Sequence, residues 1–548
     1  MKNTKKLSAL LLVPLACGLM GALTSCGKAF TPGDADTDAI DVTLDTKGVH
    51  ITMWTGFGAK INATLEELLE EFERKTGIIV DYEAKGGYPN LLKAINLAST
   101  SGTFPNIANG YPDHFASYIK SNILLRLDGI IANDAKRGEV EGAYTQNGVR
   151  YGSDGIKLLD YQDFYKDYTV ENETLEYKEN GEGYVLGVPF NKSTEVMVYN
   201  SDFFEWAAKD DTYKSKIFVP STWDEVKSVS TEIINLLKPG FKSATGEAGK
   251  ILANDGKWYA TSSDVSKATT ADGKTAETIM NLTAVTQEDF RPFTYDSTAN
   301  LFISLVRQYG AQYTEVDTSA TGRGYVTFND DNNKAATTQA MEMLKDLFDN
   351  KILGIPSVWN ELYCSSAFKA YKSVMNVGST AGLSNITSAA IPTKCAPVPV
   401  KDADHKYVIS QGTSLGLFNK GTPQQKLAAW KLMVFLSQQE NGKFAAQTGY
   451  YPTCDFSFKS NDYQAYLDSD LKTATEELEL ASATINNNTY NGKDAGWTKF
   501  VDPGFRGSAD IREAVDLIPG YLMTGTPYAT VTAALDAVYS SLSDYHKQ

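Results

Sequence analysis

Only a few side chains in this sequence stand at spacings that chemistry uses. Gly412-Thr413-Ser414-Leu415-Gly416 has the Gly-x-Ser-x-Gly spacing of a serine nucleophile. That chemistry needs a sharp strand-to-helix turn to expose the hydroxyl, and a histidine base further along the chain. Here Val408-Ile409-Ser410 and Leu417-Phe418 read as one strand with a glycine break, and the next helix starts only near Gln424. The one histidine after Ser414 is His546, two residues from the end. Paired carboxylates could cleave glycosides. With 67 Asp and Glu, however, neighbours such as Glu66-Glu67 and Glu70-Glu71 are expected on a solvated helix face. No catalytic residue is assigned. His50, His114, His405 and His546 are not at metal-ligand spacing and there is no Cys-x-x-Cys, so no metal site is expected. No phosphate-cradling glycine loop occurs, so no nucleotide cofactor is expected.

The remaining chemistry is that of binding. Aromatic residues recur beside small ones at predicted turns: Trp54-Thr55-Gly56, Gly87-Tyr88 and Thr448-Gly449-Tyr450. Flat rings stack on the apolar faces of sugars while small polar groups bond the hydroxyls. Asp113 follows Tyr111-Pro112 at the end of a predicted strand, where open α/β folds bind ligands. Its alternative reading is a helix N-cap.

The N-terminus indicates where such binding takes place. Lys2, Lys5 and Lys6 precede an apolar stretch from Leu7 to Leu23, which ends in Leu23-Thr24-Ser25-Cys26. This is secretory-signal architecture, and its last four residues resemble the bacterial lipoprotein cleavage box. That resemblance implies a signal peptide at 1–25 and lipidation of Cys26, hence a membrane contact through an N-terminal lipid anchor. Residues 26–48, polar and rich in Asp, Thr and Gly, read as a flexible tether. The chain carries 51 Lys and Arg against 67 Asp and Glu. That balance argues against nucleic acid as a partner. After Cys26 only Cys364, Cys395 and Cys454 remain, an odd and scattered set that reads as buried free thiols.

These groups need elements to position them. Ile51–Trp54 reads as a strand. Thr64 with Glu67 has capping-box spacing, and Leu65, Leu68, Leu69 and Phe72 mark one helical face running to Gly77. Ile78–Tyr82 is the next strand, and strand-helix-strand implies a parallel pair. Helices are expected over 88–99, 111–120, from Thr222, and over 297–309, 334–350, 362–371, 424–436 and 441–448. Strands are expected at 106–109, 374–377 and 408–418, with a pair over 184–199 around a turn at Asn191-Lys192. Segments 135–185 and 238–285 read as irregular, the second as an insertion of loops or a small hairpin.

Across nearly the whole mature chain, the order and spacing of several segments resemble the family 1 extracellular solute-binding proteins of ABC importers. These segments include Ile51–Trp54, Gly102–Tyr111, Val188–Thr194, Pro220–Trp223, Val377–Ser379, Gly412–Ser414, Ala428–Leu436 and Thr448–Pro452. The likeness is greatest to the glycerol-3-phosphate-binding branch. It implies an α/β, periplasmic-binding-protein-like fold of two lobes joined by a three-crossing hinge, with the ligand cleft between them. The crossings are expected near 197, 375 and 438, making lobe one 49–197 plus 376–438 and lobe two 198–375 plus 439–548. Carried over by position, Tyr88, Ser193, Ser379, Gly412, Tyr450 and Arg512 would line the cleft, Arg512 gripping a phosphate or a sugar's polar edge with its planar fork. Trp54, Asp113 and Tyr295 complete the expected set, Tyr295 standing roughly where that branch carries a Trp-rich segment. The implied function is a monomeric lipid-anchored receptor on the extracellular face of the cell membrane. It would deliver a sugar, oligosaccharide or glycerol phosphodiester to ABC permease subunits. Alternatives are a surface glycoside hydrolase or esterase, and a glycan-binding adhesin without transport.

Overall fold

The computed structural model describes residues 33–319, 323–386, 388, 390–468 and 497–547. Cys26, the signal before it and the first part of the expected tether lie outside the described residues. Ten strands make one mixed sheet. They are β1 (His50–Thr55), β2 (Ile79–Ala84), β3 (Ile107–Gly110), β4 (Val188–Asn200), β5 (Phe293–Tyr295), β6 (Leu353–Gly354), β7 (Met375–Ser379), β8 (Thr393–Ala396), β9 (Tyr407–Leu417) and β10 (Thr498–Phe500). Their order is β6-β5-β7-β4-β9-β3-β1-β2, with β8 added to β4 and β10 to β9. β1 pairs with β2 in parallel, His50 opposite Ile79, as the strand-helix-strand pattern requires. The helices that matter for the site are α1 (Ala59–Thr76), α2 (Tyr88–Ser99), α3 (Pro112–Ile119), α4 (Lys166–Glu173), α5 (Trp223–Leu237), α6 (Thr298–Gln308), α7 (Lys334–Asp349), α8 (Pro423–Val434), α9 (Asn441–Thr448) and α10 (Ser508–Thr524).

The sheet serves one large apolar core in each lobe, and a smaller cluster of lobe one gathers Leu91, Ile95, Phe104, Phe115 and Phe418. Lobe one packs Met53, Leu68, Phe72, Phe190, Leu415 and Trp430. Lobe two packs Met197, Phe203, Phe293, Leu305, Leu344 and Val515. The first crossing falls in β4, whose Phe190 belongs to one core and Val196 to the other. The expected crossings near 375 and 438 are displaced. Val377, Cys395, Val400 and Ile409 remain in the core of lobe two, and the chain returns within β9, where Leu415 enters lobe one. Phe444, Tyr450 and Cys454 stay in lobe one, Tyr451 between them already packs into the core of lobe two, and Trp497 and Phe505 belong to that core as well. The physical reason is that the long crossing strands, not the connections around them, carry the chain between lobes.

β4 also corrects an expectation. Asn191-Lys192 is not a turn but the middle of one 13-residue strand. Asn191, Lys192, Ser193, Thr194 and Glu195 are polar and buried at the point where β4 passes between the lobes. There they pair with an equally polar stretch of β9: Thr194 faces Ser410, Ser193 faces Gln411, and Lys192 faces Gly412. Gly412 has φ +96, and a Cβ on it would lie 1.9 Å from the Asn191 carbonyl oxygen. Only glycine suits both conditions.

Further local differences have local causes. α1 begins at Ala59 with Gly58 as N-cap, so Thr64 lies inside the helix; Gly77 closes it in the left-handed conformation as expected. Thr222 does form a capping box with Glu225 at the start of α5. Residues 34–47, expected as tether, pack on lobe one. Ala35, Thr37, Ile40 and Val42 are buried, the Thr37 hydroxyl donates to Arg126 O at 2.7 Å, and the Lys431 ammonium donates to Thr46 Oγ1 at 2.9 Å. The 238–285 insertion is larger than a hairpin: Ile251–Ala253, Trp258–Tyr259 and Thr278–Asn281 form a three-stranded sheet. Cys364, Cys395 and Cys454 are buried.

Gly412→Ala should destabilise the protein by about 3 kcal/mol or more, because positive φ and backbone overlap act together. Gly520 lies within α10 with open space around its Cβ position. Gly520→Ala should be neutral or stabilising. Urea denaturation of both variants measures the contrast.

Candidate functional site

A cleft of about 750 Å³ opens between the lobes over the polar crossing of β4 and β9. Its volume is in the range of small-molecule sites. One wall comes from lobe one and is aromatic. Gly56, at the end of β1, lets Tyr88 approach so closely that a Cβ there would sit 2.7 Å from the ring. Asn191 donates to the Tyr88 hydroxyl at 3.2 Å, and the Tyr88 and Tyr111 rings meet edge to face at 4.9 Å. Tyr450, set by the left-handed Gly449 that ends α9, stacks on Phe444 at 5.9 Å. Burial pushes the phenols of Tyr88, Tyr111 and Tyr450 up, so all three remain hydroxyl donors. From lobe two, Tyr363 reaches the cleft with its residue 63% exposed.

The floor is rich in carboxylates. Glu195, projecting from β4, is almost completely buried. It accepts from the Tyr295 hydroxyl, from Asn300 Nδ2 at 2.8 Å and from Gln411 Nε2 at 3.3 Å. Burial lifts its carboxyl from 4.5 to about 7. Asp296, just past the end of β5, accepts from the Cys364 amide at 2.8 Å and is likewise raised by burial. Arg512, on the first turns of α10, donates to Asp502 and to Asn300. Asp502 also accepts from the Tyr313 hydroxyl, and burial raises its carboxyl to about 6 despite Arg512.

Beside Arg512 the cleft deepens into a recess of about 50 Å³ bounded by Tyr111, Asp113, Glu171, Ser410, Gln411 and Asp502. Behind it lies a buried ion pair. Lys192 Nζ contacts Glu171 Oε1, which also accepts from Ser414 Oγ at 3.1 Å. Burial, reinforced by the charge of Lys499, pushes the Lys192 ammonium well below its usual range. Ser414 therefore stands inside β9, bonded to Glu171 and Asn172, and at no strand-to-helix turn.

Of the nine expected ligand residues, Tyr88, Ser193, Ser379, Gly412, Tyr450 and Arg512 come together on the cleft. Asp113 lines the recess. It lies in the first turn of α3, whose N-cap is Tyr111. Two are elsewhere. Trp54 carries the Lys85 ammonium on its face, 3.6 Å from the ring centre, and packs beneath α2 with Leu91 and Ile95. Tyr295 belongs to the core of lobe two and reaches the site only through Glu195. Sequence reasoning missed Glu195, Asp296, Asn300 and Tyr363. Asp296 was legible in principle, as the residue just beyond a parallel strand. Glu195 was hidden by the false turn. Tyr363 had no signal. Among the described residues no group of three or more His, Cys, Asp or Glu side chains could hold a metal ion.

The family model for bacterial extracellular solute-binding proteins matches residues 67–469. The chain belongs to that family. No curated protein sequence matches this solute-binding protein. Solved structures do, at identities that speak for the fold. One is the ABC substrate-binding protein Lmo0181 from Listeria monocytogenes in complex with cycloalternan, at 14% identity and TM-score 0.61 over 90% of this chain and 98% of that one. The GacH receptor of Streptomyces glaucescens, determined unliganded and with acarbose, matches at 16% and 0.59 over 91% and 99%. UgpB from Mycobacterium tuberculosis, in complex with glycerophosphocholine, matches at 16% and 0.59 over 90% and 98%. Among the described residues of this solute-binding protein no helix is long and apolar enough to cross a membrane.

The raised Glu195 carboxyl has a readable consequence. The folded protein holds this proton more tightly than the unfolded chain, so the associated stability is complete below pH 4.5 and is lost as pH rises towards 7. Thermal melts of wild type and Glu195→Gln should therefore diverge in favour of the variant as pH rises from 4.5 to 7. A constant difference across that window would contradict the assignment.

Proposed function

We propose that this protein captures a carbohydrate or glycerol-phosphate-like solute between its lobes and delivers it to an ABC permease, held at the outer face of the membrane by lipid on Cys26. One observation carries the reading: aromatic faces from both lobes, Tyr88 and Tyr450 on one side and Tyr363 on the other, surround a floor of Glu195, Asp296 and Asn300. Rings cover the apolar faces of a sugar while carboxylates and amides take its hydroxyls. Closing the lobes about β4 and β9 would bring Tyr363 onto a ligand already resting on Tyr88 and Tyr450, with hinge motion supplying the sequestration. The neighbouring structures carry cycloalternan, acarbose and glycerophosphocholine, solutes of this chemistry. The cleft residues Tyr88, Ser193, Ser379, Gly412, Tyr450 and Arg512 are assigned as contacts on the same ground, with Asp113 at the deep end.

Binding rather than hydrolysis fits the surroundings of Ser414, whose hydroxyl is engaged with Glu171 and Asn172 inside a strand. An adhesin reading has no cleft requirement. The lipid anchor is supported by Leu23-Thr24-Ser25-Cys26. Six residues lie between Cys26 and Gly33, where the described chain begins, and residues 34–47 are packed. An extended chain spans at most roughly 3.5 Å per residue, so such an anchor would keep lobe one close to the bilayer.

Native mass spectrometry of protein purified without added ligand should show a bound solute of oligosaccharide or glycerophosphodiester mass. With that solute, Tyr363→Ala should weaken binding about tenfold, roughly 1.4 kcal/mol, by calorimetry. Its stability should stay within about 0.5 kcal/mol of wild type because the side chain is exposed. Unchanged affinity would remove Tyr363 from the site. Absence of any solute that binds would sink the capture reading.

A further inference from the structure

The floor of the cleft can also be read for the charge of what it accepts. Arg512 is the one cation of the inner cleft among the described residues; Lys60 and Lys369 stand exposed at the rim, near the uncapped start of α1. A guanidinium is suited to a phosphate because its planar fork presents two parallel N–H donors. In Arg512 both terminal nitrogens are already engaged, Nη1 with Asp502 and Nη2 with Asn300. Asp502 is half-buried beside it and further fixed by the Tyr313 hydroxyl. Asp113 approaches the same guanidinium from lobe one. Glu195 and Asp296 line the floor beyond. Glu171, behind the recess, is in contact with Lys192 Nζ.

An anion brought to this floor would meet the carboxylates of Asp113 and Asp502 around one arginine that is already paired, with Asp296 and the proton-holding Glu195 beyond, and like charges repel. Hydroxyl groups meet the opposite situation. An ionised carboxylate only accepts, and a protonated one both donates and keeps free lone pairs, so the unfilled positions on these four suit hydroxyl groups. The recess repeats the preference: Gln411 Oε1 and Ser410 Oγ are buried there without partners in the structure. At about 50 Å³ it has room for one or two waters or a single hydroxymethyl group.

Resting on the capture reading above, we propose that the cleft selects an uncharged, hydroxyl-rich solute and rejects phosphorylated or carboxylated counterparts. Asp502 is the specificity-determining residue, because it occupies the Arg512 fork that would otherwise hold an anion. This narrows the pair of chemistries carried by the resemblance to the sugar side, and it turns Arg512 from an anion clamp into a neutralised wall.

The test uses the mature chain and two probes, the solute recovered from native protein and glycerol 3-phosphate. The recovered solute should be neutral, and glycerol 3-phosphate should give no saturable thermal shift or calorimetric heat with wild type. In Asp502→Asn, where an amide keeps the shape and the charge is gone, glycerol 3-phosphate should bind at least tenfold more tightly than to wild type. Asp113→Asn leaves the Arg512–Asp502 pair intact, and should show a smaller gain. If Asp502→Asn fails to fold, the wild-type arm and Asp113→Asn still decide. A recovered solute bearing phosphate or carboxylate, saturable glycerol 3-phosphate binding by wild type, or no gain in a folded Asp502→Asn would overturn the proposal while leaving solute capture intact. Failure to find any bound or binding solute would instead strike at capture itself.

Discussion

Everything functional in this protein hangs on the antiparallel ladder between β4 and β9. Each strand starts in the core of one lobe and ends in the core of the other, so the ladder is both hinge and cleft floor. A strand centre that is polar and buried would ordinarily be costly. Here the cost is offset because each polar side chain in the centre of β4 has a partner: Asn191 with Thr413, Lys192 with Glu171, Ser193 with Ser379, Thr194 with the Ile409 carbonyl, Glu195 with Tyr295 and Asn300. Gly412 makes the approach of the two strands sterically possible. The aromatic walls and the acidic floor are placed by what this ladder holds.

The electrostatics follow from the same crossing. Glu195 sits on β4, Gln411 on β9, and Asp296 at the end of β5, on the same sheet. The sheet thus delivers acceptors to the cleft floor, and α10 delivers one arginine that Asp502 already neutralises. Burial, more than neighbouring charge, sets the behaviour of Glu195, Asp296 and Asp502. A donor-rich ligand that fills their free lone pairs would relieve that burial better than water trapped beneath closed lobes.

The legible parts of this fold were those where local pattern and global packing agree. The α2 helix matches its expected limits at Tyr88 and Ser99, and α9 at Asn441 and Thr448, because their apolar spacing is what the core reads. β1 and β2 were visible as a parallel pair for the same reason. The failures cluster at the site. Asn191-Lys192 looked like a turn because buried polar residues in a strand centre are rare away from functional clefts. The start of α1 was missed because Thr64 and Glu67 imitate a cap, although Ile61 already stands at helical spacing from Leu65 and Leu68 and packs on the same core. Tyr295 was taken for a ligand residue in place of Asp296, its neighbour, because an aromatic draws attention and strand alternation was not applied through it. Residues 34–47 read as tether by composition, although four small apolar or hydroxyl side chains suffice to seat them on lobe one.

We propose that solute is taken up by closure of the two lobes on their shared strands. Spin labels at Ala63→Cys on α1 and Leu362→Cys beside Tyr363 stand at exposed positions on opposite sides of the cleft. Cys364, Cys395 and Cys454 are buried and should not compete for label, and Cys26→Ser removes the remaining thiol of the mature chain. Pulsed dipolar spectroscopy, with and without saturating solute from the natively purified protein, reads the interlobe distance directly. The account predicts a shorter and narrower distance distribution with solute bound. An unchanged distribution at proven saturation would contradict it.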